Sequence, residues 1–128
     1  MQAIIQQAEQ TINQLTDQYN NIRLSMTQIR KFLAAVNAIN NKVLAHQSQS
    51  GEGKDLEILP PDLANEIRYL EVKLLYQCGR ERNVKDFADK AKLFDRIRGI
   101  GTSRKKYDEF AKFMEAIVAF HKFKGGRD

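Results

Sequence analysis

Few side chains in this sequence carry the reactivity that covalent or metal chemistry needs. There are two histidines, His46 and His121, and one cysteine, Cys78. A metal site brings three or more ligands together, and a hydrolytic site needs a nucleophile with a base or a pair of carboxylates. No His-x-x-x-His or Glu-x-x-His spacing occurs, so the sequence predicts no catalytic residue, no metal site and no cofactor. Cys78 falls on a repeating apolar position, where burial raises a thiol's pKa and makes it inert. His46 reads as a surface residue at a helix end, and His121 as a packed or capping residue.

The remaining chemistry is cationic. Gln28, Arg30 and Lys31 sit just inside a predicted helix start, where free N–H groups, the dipole's positive end and two cations can face one phosphate. A second group runs from Tyr69 through Lys73, Tyr76, Gly79 and Arg80 to Arg82 and Lys85. Tyr69, Lys73 and Tyr76 share one helix face, and Gly79 frees the backbone where Arg80 projects. A guanidinium there can fork onto a phosphate or stack on a base. The opposing reading pairs Arg80 with Glu81 or Asp86 and buries the tyrosines; residue types alone leave both open. Gly99-Ile100-Gly101-Thr102-Ser103 could hold a phosphate at a helix start, but it lacks the spacing and lysine of a nucleotide-binding loop and reads better as a tight turn, with Arg104-Lys105-Lys106 a solvated corner.

These groups are carried by 128 residues with net charge +5, 42% of them hydrophobic and 29% charged. That length and composition describe one soluble domain. The charge is unevenly placed: residues 1–64 have net −1 and residues 65–128 net +6. Such an excess suits a polyanionic partner, and it also serves solubility. The longest uncharged run, Phe32 to Asn41, is ten residues, about half a membrane span. With no secretory pattern and a lone cysteine, a cytoplasmic protein without membrane contact is expected.

Apolar residues recur at helical spacing almost throughout, which predicts an all-α, compact bundle of about five helices over residues 1–128. Ile5, Ala8, Ile12, Leu15, Tyr19 and Ile22 form a narrow stripe on a first helix, one that packs late or against a partner. Ser25 and Gln28 make a capping box for a second, with Met26, Ile29, Leu33, Val36 and Val43 as its buried face. Residues 47–61 read as a mobile loop. Pro61 opens a third helix (Leu63, Ile67, Leu70, Leu74, Cys78) that stops at Gly79. Asn83 caps a fourth (Phe87, Ala91, Phe94, Ile97) that ends at Gly99 and Gly101. Thr102 or Ser103 caps a last helix bearing Tyr107, Phe110, Met114, Ile117 and Phe120 or His121, closed by Gly125-Gly126.

Three segments carry a resemblance: Thr27-Gln28-Ile29-Arg30-Lys31-Phe32-Leu33; Tyr69-Leu70 through Tyr76-Gln77-Cys78-Gly79-Arg80-Glu81 with Val84-Lys85; and Phe113-Met114-Glu115-Ala116-Ile117-Val118-Ala119-Phe120-His121-Lys122-Phe123 with Gly125-Gly126. In order and spacing they resemble the small subunit of the type III-A CRISPR-Cas (Csm) effector complex, over about residues 23 to 126. The resemblance implies a non-catalytic helical protein, several copies of which line the channel where guide and target RNA pair. It would contact the target RNA backbone directly and the guide RNA indirectly, beside other copies of itself and the larger backbone and polymerase-like subunits. Base pairing would read sequence while the protein reads phosphate. Arg30, Lys31, Arg80 and Lys85 are then the first candidates for RNA contact, and Lys73, Arg68 and Gln28 the second. Glu71 among them must face away or pair with Lys73 or Arg68. Phe113, Met114, Ile117, Phe120 and Phe123 read as core together with a contact to a neighbouring copy, or as core alone. A protein-only helical scaffold or adaptor is the alternative function, and no helix-turn-helix stands out for a DNA-binding regulator.

Overall fold

The computed structural model describes residues 2–19, 21–49 and 57–128. Six helices follow in order: α1 (Gln2–Leu15), α2 (Met26–Gln49), α3 (Pro61–Arg80), α4 (Arg82–Ala91), α5 (Leu93–Ile100) and α6 (Arg104–Phe123). No named strand occurs among the described residues, so the fold is all-α as the periodicity predicts. The count exceeds five because Lys92 adopts a left-handed backbone (φ 54°, ψ 43°) and breaks the predicted fourth helix. Periodicity could not show that break, because Phe87, Ala91 and Phe94 keep helical spacing across it. Arg96 Nε donates to the Ala91 carbonyl at 2.8 Å and so satisfies one of the groups the break frees.

α1 packs on α6 and α4, α2 on α3, and α3 on α4 and α5. Ala8 and Ile12 are fully buried, so α1 closes against its own chain. It ends at Leu15 rather than near Ile22 because Asp17 Oδ1 accepts from the N–H groups of Tyr19 (2.8 Å) and Asn21 (2.9 Å). That local turn outcompetes helix continuation. Tyr19 is left 73% exposed, while Ile22 reaches the core from outside the helix.

α2 begins as predicted. Ser25 N–H donates to Gln28 Oε1 (2.9 Å) and Gln28 N–H to Ser25 Oγ (3.3 Å). Its buried residues are Ile29, Phe32, Val36, Ile39 and Val43, whereas the expected face had Leu33 for Phe32; Met26 and Leu33 are half-buried. Both i+3 and i+4 steps from Ile29 are helical, and only the position of α3 decides between them. α3 continues through Gly79 to Arg80, so Gly79 is an ordinary helical residue and not the stop. Cys78 is half-buried against the core. The N-cap of α4 is Glu81, not Asn83.

Of the predicted loop 47–61, residues 47–49 extend α2 and residues 50–56 lie outside the described residues. Its last part is pinned to the α5–α6 turn: Leu59 N–H donates to Thr102 O (2.8 Å), and Arg104 N–H to Glu57 O (2.9 Å). Gly99 and Ile100 still belong to α5, so the helix does not stop at Gly99; the turn is residues 101–103, with Gly101 at φ 53° and Ser103 Oγ capping α6 through Lys106 N–H. The N–H groups of Ser103, Arg104 and Lys106 at this helix start are taken by Ile100 O, Glu57 O and Ser103 Oγ.

The chain's last residues fold back onto α2. His121 is buried, and its Nε2–H donates to Leu24 O at 2.6 Å. Gly126 lies against this ring so closely that an added Cβ would sit 2.2 Å from it. The main-chain oxygens of Arg127 and Asp128 accept from the N–H groups of Met26 (3.0 Å) and Thr27 (2.9 Å).

Candidate nucleic-acid interface

α2 and α3 run antiparallel. Lys42 Nζ meets Glu66 Oε2 at 2.7 Å, while Lys31, near the other end of α2, shares a groove with Tyr76 and Gln77 of α3. This topology brings the start of α2, the end of α3 and the start of α4 together. Asn83 Nδ2 ties the junction by donating to Arg23 O (3.2 Å) and Gln28 Oε1 (3.5 Å).

The two constellations separated in sequence thus meet at one end of the bundle. Arg30, Lys31, Arg80 and Lys85 are all exposed there, and none makes an ion pair among the described residues. Lys73 lies one to two turns further along the same groove as Lys31. The proposed internal pairings of Arg80 do not form: Asp86 is bridged by Lys90 at 2.6 Å, and the Arg80 guanidinium lies 5.8 Å from the centre of the Tyr76 ring. Tyr69 and Tyr76 are 57% and 63% exposed, so the reading that buries them fails.

Two second-choice residues are engaged elsewhere. Gln28 belongs to the capping box and the Asn83 bridge. Arg68 pairs with Glu71 at 3.3 Å, and Arg98 bonds the other oxygen of the same carboxylate. A phosphate on the α2 N-terminus is also excluded as first drawn, because the N–H groups of residues 25 to 28 already have partners in Gln28, Arg127, Asp128 and Ser25. The cations can still meet phosphate, but without those amides.

Sequence reasoning missed Arg23 and Arg127, and it named Arg82 without ranking it as a contact. Arg82 opens α4, and bonds to their main-chain oxygens hold the other two at this same end, Arg23 O accepting from Asn83 Nδ2 and Arg127 O from Met26 N–H. No local pattern marks Arg127, since its partner lies about a hundred residues earlier in the chain. Away from this end, two arginines are structural. Arg96 sits 3.7 Å above the Phe113 ring and bonds Gln7 Oε1 at 3.0 Å, and Arg104 bonds Gln47 Oε1 at 2.6 Å. Among the described residues no group of three metal-ligating side chains forms, and no helix is long and apolar enough to cross a membrane. Burial, followed by the charge of Asp89, raises the pKa of the Cys78 thiol, as an inert position requires.

The profile of the family described as Csm2 Type III-A matches residues 1–127. The chain belongs to the type III-A Csm2 family. It is 34% identical over 125 residues to the "CRISPR system Cms protein Csm2" of Streptococcus thermophilus, covering 97% of this chain and 93% of that protein. The protein of the same name from Mycobacterium tuberculosis is 35% identical over 124 residues with the same coverage. That of Enterococcus italicus is 32% identical over 103 residues, 78% of this chain and 67% of the relative. The match to the Csm2 family includes the N-terminal helix, where no motif marked it.

Two expected outcomes follow from these contacts. Arg98 first, and then Arg68, holds the Glu71 carboxyl below its ordinary pKa against the opposing effect of burial. A depressed carboxylate stabilises the fold above its unfolded pKa and loses that contribution as pH falls through the folded value. The melting temperature of the wild type should therefore drop more steeply than that of Glu71→Gln as pH is lowered from about 6 to about 3. Separately, Gln28→Ala removes half of the capping box and the Asn83 bridge, and should cost about 1 kcal/mol in urea unfolding.

Proposed function

We propose that this Csm2-family chain is the non-catalytic, RNA-binding small subunit of a type III-A CRISPR interference complex, residues 1–128 acting as one helical unit. Copies stack along the guide–target duplex beside the larger backbone and polymerase-like subunits in the cytoplasm. The end carrying Arg30, Lys31, Arg80 and Lys85, flanked by Lys73, meets the target RNA backbone whatever its sequence. The observation that carries this reading is the gathering, at the α2–α3–α4 junction, of exposed cations that make no ion pair among the described residues, while Lys42, Arg68, Lys90 and Arg98 are each matched to a carboxylate. Unneutralised charge at one place is what displaces counterions from a phosphate backbone.

The test is the salt dependence of single-stranded RNA binding by the isolated chain. Affinity should be weak, independent of sequence, and fall between about 50 and 200 mM salt with a log–log slope near −0.7 per phosphate contacted. A flat dependence would overturn the reading, as would a native assembly that yields no RNA and keeps its size under nuclease. Either result would favour the protein-only scaffold.

A further inference from the structure

Tyr69 and Tyr76 are exposed where an aromatic ring would ordinarily be buried. With Val72 at 46% and Leu75 at 55% exposure they put apolar surface on the outward side of α3, among the exposed Arg68, Lys73 and Arg80. Exposed apolar side chains gathered on one side of a helix are a candidate binding surface. Beside it, between α2 and α3, lies a groove of about 610 Å³ whose lining includes Phe32, Ala35 and Val72, with Lys31 on one wall and Lys73 on the other. The nearby carboxylates are turned elsewhere, Glu66 to Lys42 and Glu71 to Arg68 and Arg98. Flat rings bordered by unmatched cations fit a polyanion that also carries flat apolar groups.

We propose that the Tyr69–Tyr76 face is a stacking platform for unpaired bases of single-stranded RNA. The two residues are seven apart, so their Cα atoms rise by about 10 Å along the helix, roughly three stacked base steps. Lys31 and Lys73 lie where they can hold the intervening phosphates, and the Arg80 guanidinium beside Tyr76 extends the stack. Stacking is tolerant of sequence because every base has a π-face, so a subunit that must accept any target can still grip target bases where they are not paired with the guide. The occupant is RNA rather than a second copy of this chain because Lys31 and Lys73, which flank the face, make no ion pair among the described residues. The inference rests on the RNA-binding reading above and adds bases to a contact described so far through phosphate alone.

The test compares a uridine-rich single-stranded RNA with an abasic RNA of equal length and charge, both titrated into the full chain. The wild type should bind the uridine-rich strand about tenfold or more tightly, with the same salt slope for both. Tyr69→Leu with Tyr76→Leu should erase that difference and leave the slope unchanged, whereas Tyr→Phe at both positions should retain it. Equal wild-type affinity for the two strands, with a normal slope, overturns the platform and leaves the backbone contact standing. Absence of binding to either strand, or a flat slope, overturns the RNA reading itself. Loss of self-association in the leucine variant with unchanged RNA affinity overturns the platform in favour of a contact between copies. The wild-type comparison and the Phe variants decide the matter even if the leucine variant folds poorly.

Discussion

The Lys31→Glu, Arg80→Glu double variant is expected to bind single-stranded RNA about a hundredfold more weakly than the wild type at low salt. The salt slope should fall by about 1.4, the equivalent of two phosphates. Both residues are exposed and neither makes an ion pair among the described residues, so circular-dichroism melting should move little, within the range of an ordinary surface change. Lys105→Glu with Lys106→Glu makes the same change in net charge at the start of α6, next to the turn that pins Leu59. That control should weaken binding far less and leave the slope nearly unchanged. If both pairs act alike, the total charge and not its placement governs binding. A large drop in melting temperature for the first pair would instead make Arg80 a packing partner of Tyr76.

Phe113→Ala should destabilise the fold by about 3–5 kcal/mol, the cost of removing a fully buried phenyl ring from a core that cannot collapse around the gap. Phe113 has no exposure, and its ring also carries the Arg96 guanidinium at 3.7 Å. Arg96 in turn links α5 to the end of α4 and to Gln7 of α1, so the loss extends beyond one helix face. Against a typical domain stability of about 5–15 kcal/mol this is a large fraction, and thermal melting should shift down by roughly 10–20 °C. Phe123→Ala, in the same α6 segment, should change stability by no more than about 0.5 kcal/mol because Phe123 is 85% exposed. Equal effects at the two positions would mean that Phe123 is covered by another molecule in solution.

That pair shows where reading the chain reaches its limit. Phe113, Phe120 and Phe123 stand at helical spacing on one segment, yet they are buried, half-buried and exposed in turn. Periodicity identifies a helix and roughly which side is apolar, but it does not say where the neighbouring helix ends. The same limit exchanged Phe32 for Leu33 and carried the first stripe on to Tyr19. Features set by residues three or four apart were legible: the Ser25–Gln28 box, Pro61 at the start of α3 and the Ser103 cap of α6. Asp17, Lys92 and Glu81 altered boundaries through turn geometry whose signal is weaker than the hydrophobic repeat.

The candidate interface divides in the same way. Arg30, Lys31, Arg80 and Lys85, and the family, were readable as motifs, because a motif is a local arrangement of residue types. Which cations are free was not readable, since it depends on carboxylates and helices far along the chain: Glu71 takes Arg98 from 27 residues away, and Arg127 comes back to cap α2 beside Arg23. By itself the sequence determined an all-helical protein of the type III-A Csm2 family with cationic segments. Only the tertiary structure decided that those segments form one basic end, that the α2 amides are already taken and that two tyrosines face outward. Helix formation is driven by neighbours within a turn, whereas charge pairing and burial are settled between elements that packing alone brings together.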